Sequence, residues 1–197
     1  KMDAVINRTS YAIEKDPHVL TEEQKAAYDA MKAEKKPSLL FGITGSGKTE
    51  VYAEMIADMA KVGKQSILLV PEILLTEHTI HRFEEMFHRE HIAVLHSRLT
   101  PASRREEWKR IHSGEAALVI GSRSALFAPC RNLGLVIIDE EHEWTYKNEQ
   151  TPRYHARDTA EKLCEFAGAK LGLGSATPSL ESSARTKNGQ YQLARIS

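Results

Sequence analysis

What this 197-residue chain has little of narrows the field first. Its two cysteines, Cys130 and Cys164, lie far apart with no C-x-x-C pair. That argues against a disulfide framework and against structural zinc, and fits a reducing cytosol. The longest apolar runs hold about half a dozen residues, far short of the roughly 20 needed to cross a bilayer, so no membrane association is expected. The N-terminus lacks the apolar core of a secretory signal. Net charge is absent, because 27 basic side chains cancel 27 acidic ones. No global basic field therefore announces nucleic acid, and any such binding has to come from a local groove. Internal repeats and low-complexity tracts are missing too.

What is present is an ordinary globular composition, 41% hydrophobic and 27% charged, in a chain long enough for one substantial core. Residues 1–19 lack periodicity and contain Asp16-Pro17, which reads as an N-terminal linker. Residues 20–197 alternate helix and strand. Helices are expected at 21–34, 48–62, 76–88, 101–112 and 155–167, and strands at 38–41, 66–70, 92–95, 116–120, 135–138 and 170–173. The strands are near-continuous Leu/Val/Ile runs, so both of their faces are covered. The pattern predicts an α/β fold with a mainly parallel sheet and helices on both faces. The tail, 186–197, has a turn signal at Asn188-Gly189 and room for one last strand. It reads as a chain cut at a lobe boundary.

Two segments carry chemistry. Gly42-Ile43-Thr44-Gly45-Ser46-Gly47-Lys48-Thr49 fits G-x-x-x-x-G-K-[ST], the phosphate-cradling loop, between a strand and a helix. Gly42, Gly45 and Gly47 permit a tight turn that points backbone N–H groups at phosphate oxygens, helped by the positive end of the next helix. Lys48 would neutralise the β- and γ-phosphates of ATP, and Thr49 would ligate Mg²⁺. The second segment, Asp139-Glu140-Glu141-His142, follows the apolar run 133–138 and emerges at the carboxyl edge of the sheet, where α/β folds hold ligands. Asp139 suits Mg²⁺, directly or through water, and Glu140 suits polarisation of an attacking water. Gln24 has two readings. Its amide can read adenine, or it can close a capping box with Thr21.

Further segments make the pattern specific. They are Leu69-Val70-Pro71-Glu72-Ile73, the run I-G-S-R-S-A-L-F-A-P over 120–129, Arg153-Tyr154-His155-Ala156-Arg157-Asp158, and G-S-A-T-P-S-L-E over 174–181. With the DEXH-type acidic segment and the S-A-T motif, the chain over 20–183 resembles the first RecA-like lobe of the PriA family. These are the primosomal, superfamily-two helicases of bacterial replication restart. The resemblance implies an ATP-dependent 3′-to-5′ DNA helicase in the bacterial cytoplasm, associated with the nucleoid. It implies adenine reading by Gln24, and coupling between phosphate state and a second lobe by His142, Ser175, Ala176 and Thr177. Gly121, Ser122 and Arg123 match a segment that contacts the single-strand backbone. Trp144, Tyr146, Lys147, Arg153, Tyr154 and His155 match an aromatic-rich loop that senses single-stranded DNA. That loop also makes sense unaided, since bases stack on aromatic faces for about 1–3 kcal/mol each while cations such as Lys147, Arg153 and Arg157 hold phosphates. Implied partners are single-stranded and forked DNA, single-strand-binding protein and primosome loading proteins.

Other clusters promise less. His78 and His81, then His88 and His91, sit at helical spacing without an acidic or cysteine partner, which predicts a solvated helix face. Arg104, Arg105, Lys109 and Arg110 alternate with Glu106 and Glu107, another exposed helix face. A second lobe with its arginine finger, the family's cysteine-rich zinc insertion and its DNA-binding modules are not in this sequence. A lobe alone is therefore expected to hydrolyse ATP slowly at best. Two rival readings share the motifs: a duplex-DNA translocase or restriction-type motor lobe, and a nucleotide-gated binding module without turnover.

Overall fold

The computed structural model describes residues 10, 11 and 19–197. Helix α1 (Glu22–Ala33) begins at a complete capping box, with Thr21 and Gln24 bonding each other's backbone N–H groups. Strand β1 (Ser38–Gly42), helix α2 (Lys48–Lys61) and strand β2 (Gln65–Leu69) follow. Next come α3 (Glu77–Glu84), β3 (Ile92–Leu95), α4 (Pro101–Ser113) and β4 (Leu118–Gly121). Strand β5 (Leu133–Ile138) leads to a hairpin of two-residue strands, β6 (Lys147–Asn148) and β7 (Tyr154–His155). Helix α5 (Ala156–Ala167), β8 (Lys170–Ser175), α6 (Leu180–Lys187) and β9 (Gln192–Ile196) complete the described chain.

Seven strands form one sheet in the order β3-β4-β2-β5-β8-β1-β9, and every pairing in it is parallel. The cause is visible along each strand, where successive side chains enter opposite layers. Leu40, Leu68, Leu135 and Ile137 join Met31, Tyr52, Ile56, Phe83 and Phe87 on one face. Leu39, Ile67, Leu69, Val136 and Ile138 join Ile111, Leu126, Ala160 and Cys164 on the other. The α/β reading therefore holds. Because all strands run the same way, all their carboxyl ends share one rim. The last strand lies beside β1, with Gly42 opposite Ile196. A Cβ on Gly42 would overlap the Ile196 side chain, so this glycine is needed for close approach.

Four expectations change. Most of the expected linker falls outside the described residues, yet Tyr11 is buried in the core. Its hydroxyl donates to the Gly114 carbonyl at 2.8 Å and its ring meets His91 edge-on at 5.5 Å. The helix expected over 76–88 stops at Glu84. The chain turns there so that Met86, Phe87 and His91 all enter the core. His91 is consequently no part of a solvated face, and its Nδ1 pairs with the Glu115 carbonyl at 3.1 Å. Arg110 also leaves the exposed face, with its guanidinium held between Glu107 at 3.0 Å and Glu115 at 2.8 Å.

Candidate active site

Strand β1 delivers Gly42 to the carboxyl rim, and the loop 43–47 turns back into α2. Gly45 and Gly47 have φ of 84° and 89°, a region that side chains with a Cβ disfavour. Gly47 occupies the N-cap of α2 and offers no capping side chain. The first N–H groups of the helix are therefore left for an anion. Lys48 is 7% exposed. Its ammonium donates to the carbonyls of Gly42 at 2.8 Å and Ile43 at 3.4 Å, folding the side chain over its own loop. Thr44 is exposed and Thr49 half-buried in the first turn of α2. The Ser46 hydroxyl is buried with no hydrogen-bond partner, an orphan that a phosphate oxygen would satisfy. Gln24 fills its capping role while its amide nitrogen also donates to the Gly47 carbonyl at 3.4 Å. One side chain thus ties α1 to the phosphate loop.

The acid pair comes to the same place. Asp139 continues β5, its N–H bonding the Leu69 carbonyl at 2.9 Å. Glu140 then takes φ of 46°, the one positive value at a non-glycine residue among those described. Such backbone costs on the order of 1–3 kcal/mol and persists where surroundings over-determine it. It turns Glu140 Oε1 to 3.5 Å from Lys48 Nζ. Asp139 accepts from the Tyr52 hydroxyl at 2.9 Å, and its carbonyl accepts from the Tyr146 hydroxyl at 2.6 Å. Burial first, and the Glu140 charge second, push the Asp139 carboxyl above its usual range, against the pull of Tyr52 and Lys48. His142 Nδ1 lies 2.7 Å from the Ser175 hydroxyl oxygen and 3.6 Å from Glu140 Oε2. Ser175 Oγ also accepts from the Thr177 N–H at 3.0 Å, while Ala176 between them is half-buried. Acid segment and S-A-T turn are thereby one hydrogen-bonded unit.

Sequence reasoning passed over the residues behind this unit. Glu141 is 1% exposed. It accepts from the Ser179 N–H at 2.8 Å, the Ser179 hydroxyl at 3.0 Å and the Ser182 hydroxyl at 2.8 Å. Arg157, expected among the cations of the aromatic loop, is buried instead, its guanidinium 3.5 Å from Glu141 and 3.0 Å from the Ser179 hydroxyl. The signal was an acidic run with one more carboxylate than magnesium and water need. Tyr52 gave no signal, because an aromatic residue on an apolar helix face reads as core.

Beside this site the 121–123 segment meets the aromatic loop. Gly121 and Ser122 are buried. Arg123 donates to the carbonyls of Thr145 at 2.7 Å and Lys147 at 2.6 Å and to the Asn148 side chain at 3.2 Å. Its guanidinium stands 5.8 Å from the Tyr154 ring centre, and Phe127 meets that ring edge-on at 5.1 Å. Trp144 is 81% exposed. Tyr146 is corrected: at 1% exposure its ring has no free face for a base. Lys147 and Arg153 are exposed on the hairpin. His155 is the N-cap of α5, accepting from the Arg157 N–H at 3.2 Å. Burial and the Arg157 charge hold its pKa below the ordinary histidine value. A cleft of about 380 Å³ runs between Pro71, Ser97, Ser122, Arg123, Trp144 and Tyr154.

The family model for DEAD/DEAH box helicases matches residues 21–186. The replication restart protein PriA of Bacillus subtilis (strain 168) is 48% identical over 186 residues, covering 92% of this chain and 23% of that protein. PriA of Haemophilus influenzae is 52% identical over 154 residues, covering 78% of this chain and 21% of that protein. The chain thus spans about a quarter of the length of the curated relatives it matches. Among solved structures, RecG bound to a three-way DNA junction superposes with a TM-score of 0.66 at 26% identity, covering 96% of this chain and 26% of RecG. The Hef helicase domain of Pyrococcus furiosus gives 0.62 at 21% identity, covering 87% of this chain and 37% of that one, a likeness of fold.

Proposed function

Because the chain belongs to the DEAD/DEAH box helicase family, we propose that it is the ATP-binding lobe of a DNA helicase that restarts stalled replication, moving 3′ to 5′ along one strand. One observation carries the reading. Lys48 Nζ lies 3.5 Å from Glu140 Oε1, so phosphate loop and acid pair, far apart in sequence, face each other across one site. The orphaned Ser46 hydroxyl and the uncapped start of α2 fit a bound phosphate chain.

With nucleotide present, Lys48 would exchange the carbonyls of Gly42 and Ile43 for phosphate oxygens. Thr49 and Asp139 would hold magnesium, which when bound neutralises the phosphate oxygens. Glu140, held near that phosphate position by its left-handed backbone, would accept a proton from the attacking water. Gln24 would offer its amide to adenine. His142, Ser175 and Thr177 would relay the phosphate state to a second lobe. The exposed Trp144, with Lys147 and Arg153 on the hairpin that follows it, would meet single-stranded DNA, and Arg123 would set the loop that carries them. We assign forked and single-stranded DNA as substrates, and single-strand-binding protein and primosome loaders as partners, in the bacterial cytoplasm near the nucleoid. In related systems an arginine finger from a second lobe is worth roughly 10³–10⁵ in rate, so residues 20–197 taken alone would turn over slowly.

Titration of the chain with a fluorescent ATP analogue and magnesium tests the reading. Saturable binding that Lys48→Ala abolishes is expected, and equal affinity in that variant would refute it. In the complete polypeptide, hydrolysis should respond to single-stranded DNA far more than to blunt duplex.

A further inference from the structure

Tyr52 sits on the buried face of α2, one helical turn beyond Lys48, and is 1% exposed. Phenylalanine would serve at a purely apolar position, since a buried hydroxyl needs a partner to offset its desolvation. Here the partner is an acid: the hydroxyl donates to Asp139 Oδ1 at 2.9 Å. The space for that hydroxyl is made by a glycine on a third element. A Cβ on Gly174, in β8 directly before the S-A-T turn, would overlap the Tyr52 hydroxyl and lie 3.2 Å from Asp139 Oδ1. Gly174 does not have a left-handed backbone, so its lack of a side chain answers to space and not to φ.

We propose that Tyr52 is a positioning residue that fixes the magnesium-binding carboxylate of Asp139 and that Gly174 is a glycine in order to admit its hydroxyl. The role rests on the proposed nucleotide site above. The phenol donor on Oδ1 biases the rotation of the carboxylate and does not engage Oδ2. The same contact links the phosphate-loop helix, the acid segment and the strand that leads into the S-A-T turn.

The experiment titrates magnesium against a fluorescent, non-hydrolysable ATP analogue, with melting temperature recorded separately. Tyr52→Phe should melt within a few degrees of wild type and bind the analogue equally well in EDTA. Its half-saturating magnesium should rise about tenfold, the worth of one hydrogen bond to a charged group. Gly174→Ala should shift magnesium in the same direction, and its melting penalty should be smaller in the Tyr52→Phe background, where the hydroxyl it collides with is gone. A Tyr52→Phe chain with unchanged magnesium dependence would overturn the positioning role alone. A wild-type chain that binds no magnesium nucleotide would overturn this role and the proposed function together.

Discussion

Replacing Glu141 by alanine would leave the Arg157 guanidinium, whose side chain is 6% exposed, with the exposed Asp158 at 3.5 Å as its remaining acidic partner, beside a cavity where a fully buried carboxylate had been. It would also remove the acceptor for the Ser179 N–H and for the hydroxyls of Ser179 and Ser182. Breaking a buried pair on one side costs about 3–5 kcal/mol, most of it from the charge left behind. Against the roughly 5–15 kcal/mol that holds a typical domain together, that is a large fraction. With a urea slope of about 2 kcal/mol per molar, the unfolding midpoint should fall by about 2 M. Denaturation followed by circular dichroism measures this. Glu141→Gln keeps one acceptor oxygen and should lose less. Glu141→Ala combined with Arg157→Met should lose less than the sum of the two single changes, because the second removes the stranded charge. A loss below about 1 kcal/mol in Glu141→Ala, or strict additivity in the pair, would refute the view that this carboxylate is the clamp behind the acid segment.

Asp139 has its carboxyl raised by burial and by Glu140. A raised acid binds its proton more tightly in the folded state, so its ionisation opposes folding as pH climbs past the unfolded value of about 3.9. Asp139→Asn, without magnesium or nucleotide, should therefore melt higher than wild type at pH 7, with the gain shrinking as pH falls towards 4. Gly47→Ala meets a backbone at φ 89° and a Cβ overlap with the Gln24 amide. It should weaken nucleotide binding by about tenfold or more, at about 1–2 kcal/mol for the conformation alone. Arg123→Ala removes the bonds to the Thr145 and Lys147 carbonyls. In a Trp108→Phe background, which leaves Trp144 as the emitter, fluorescence anisotropy should drop; an unchanged value would mean that the loop is held elsewhere.

Much of this site could be read along the chain because its motifs are local. A glycine turn followed by Lys48-Thr49, and acids directly after an apolar strand, declare their geometry within a few residues. The same holds for the strands, whose apolar runs place β1, β2, β4 and β5 in the interior of the sheet. What stayed hidden depends on partners distant in sequence. Arg157 looks like any loop cation until the fold brings Glu141 to it, and Tyr146 looks like a stacking platform until its hydroxyl finds the Asp139 carbonyl. His91 belonged by spacing to a polar helix face, yet its ring packs on Tyr11, from a segment without any periodic pattern. Periodicity reports which face an isolated element prefers, and it is silent where a turn re-aims one side chain.

The neighbour relation between Gly42 and Ile196 has a practical corollary for anyone trimming this polypeptide. Ending it before residue 192 would uncover the flank of β1 as a raw edge of N–H and C=O groups, an invitation to intermolecular pairing. It would also withdraw the wall against which the first glycine of the phosphate loop is seated. Shortened versions should therefore fail twice over, clumping in solution and losing their grip on nucleotide, although every residue of the signature motifs is still there.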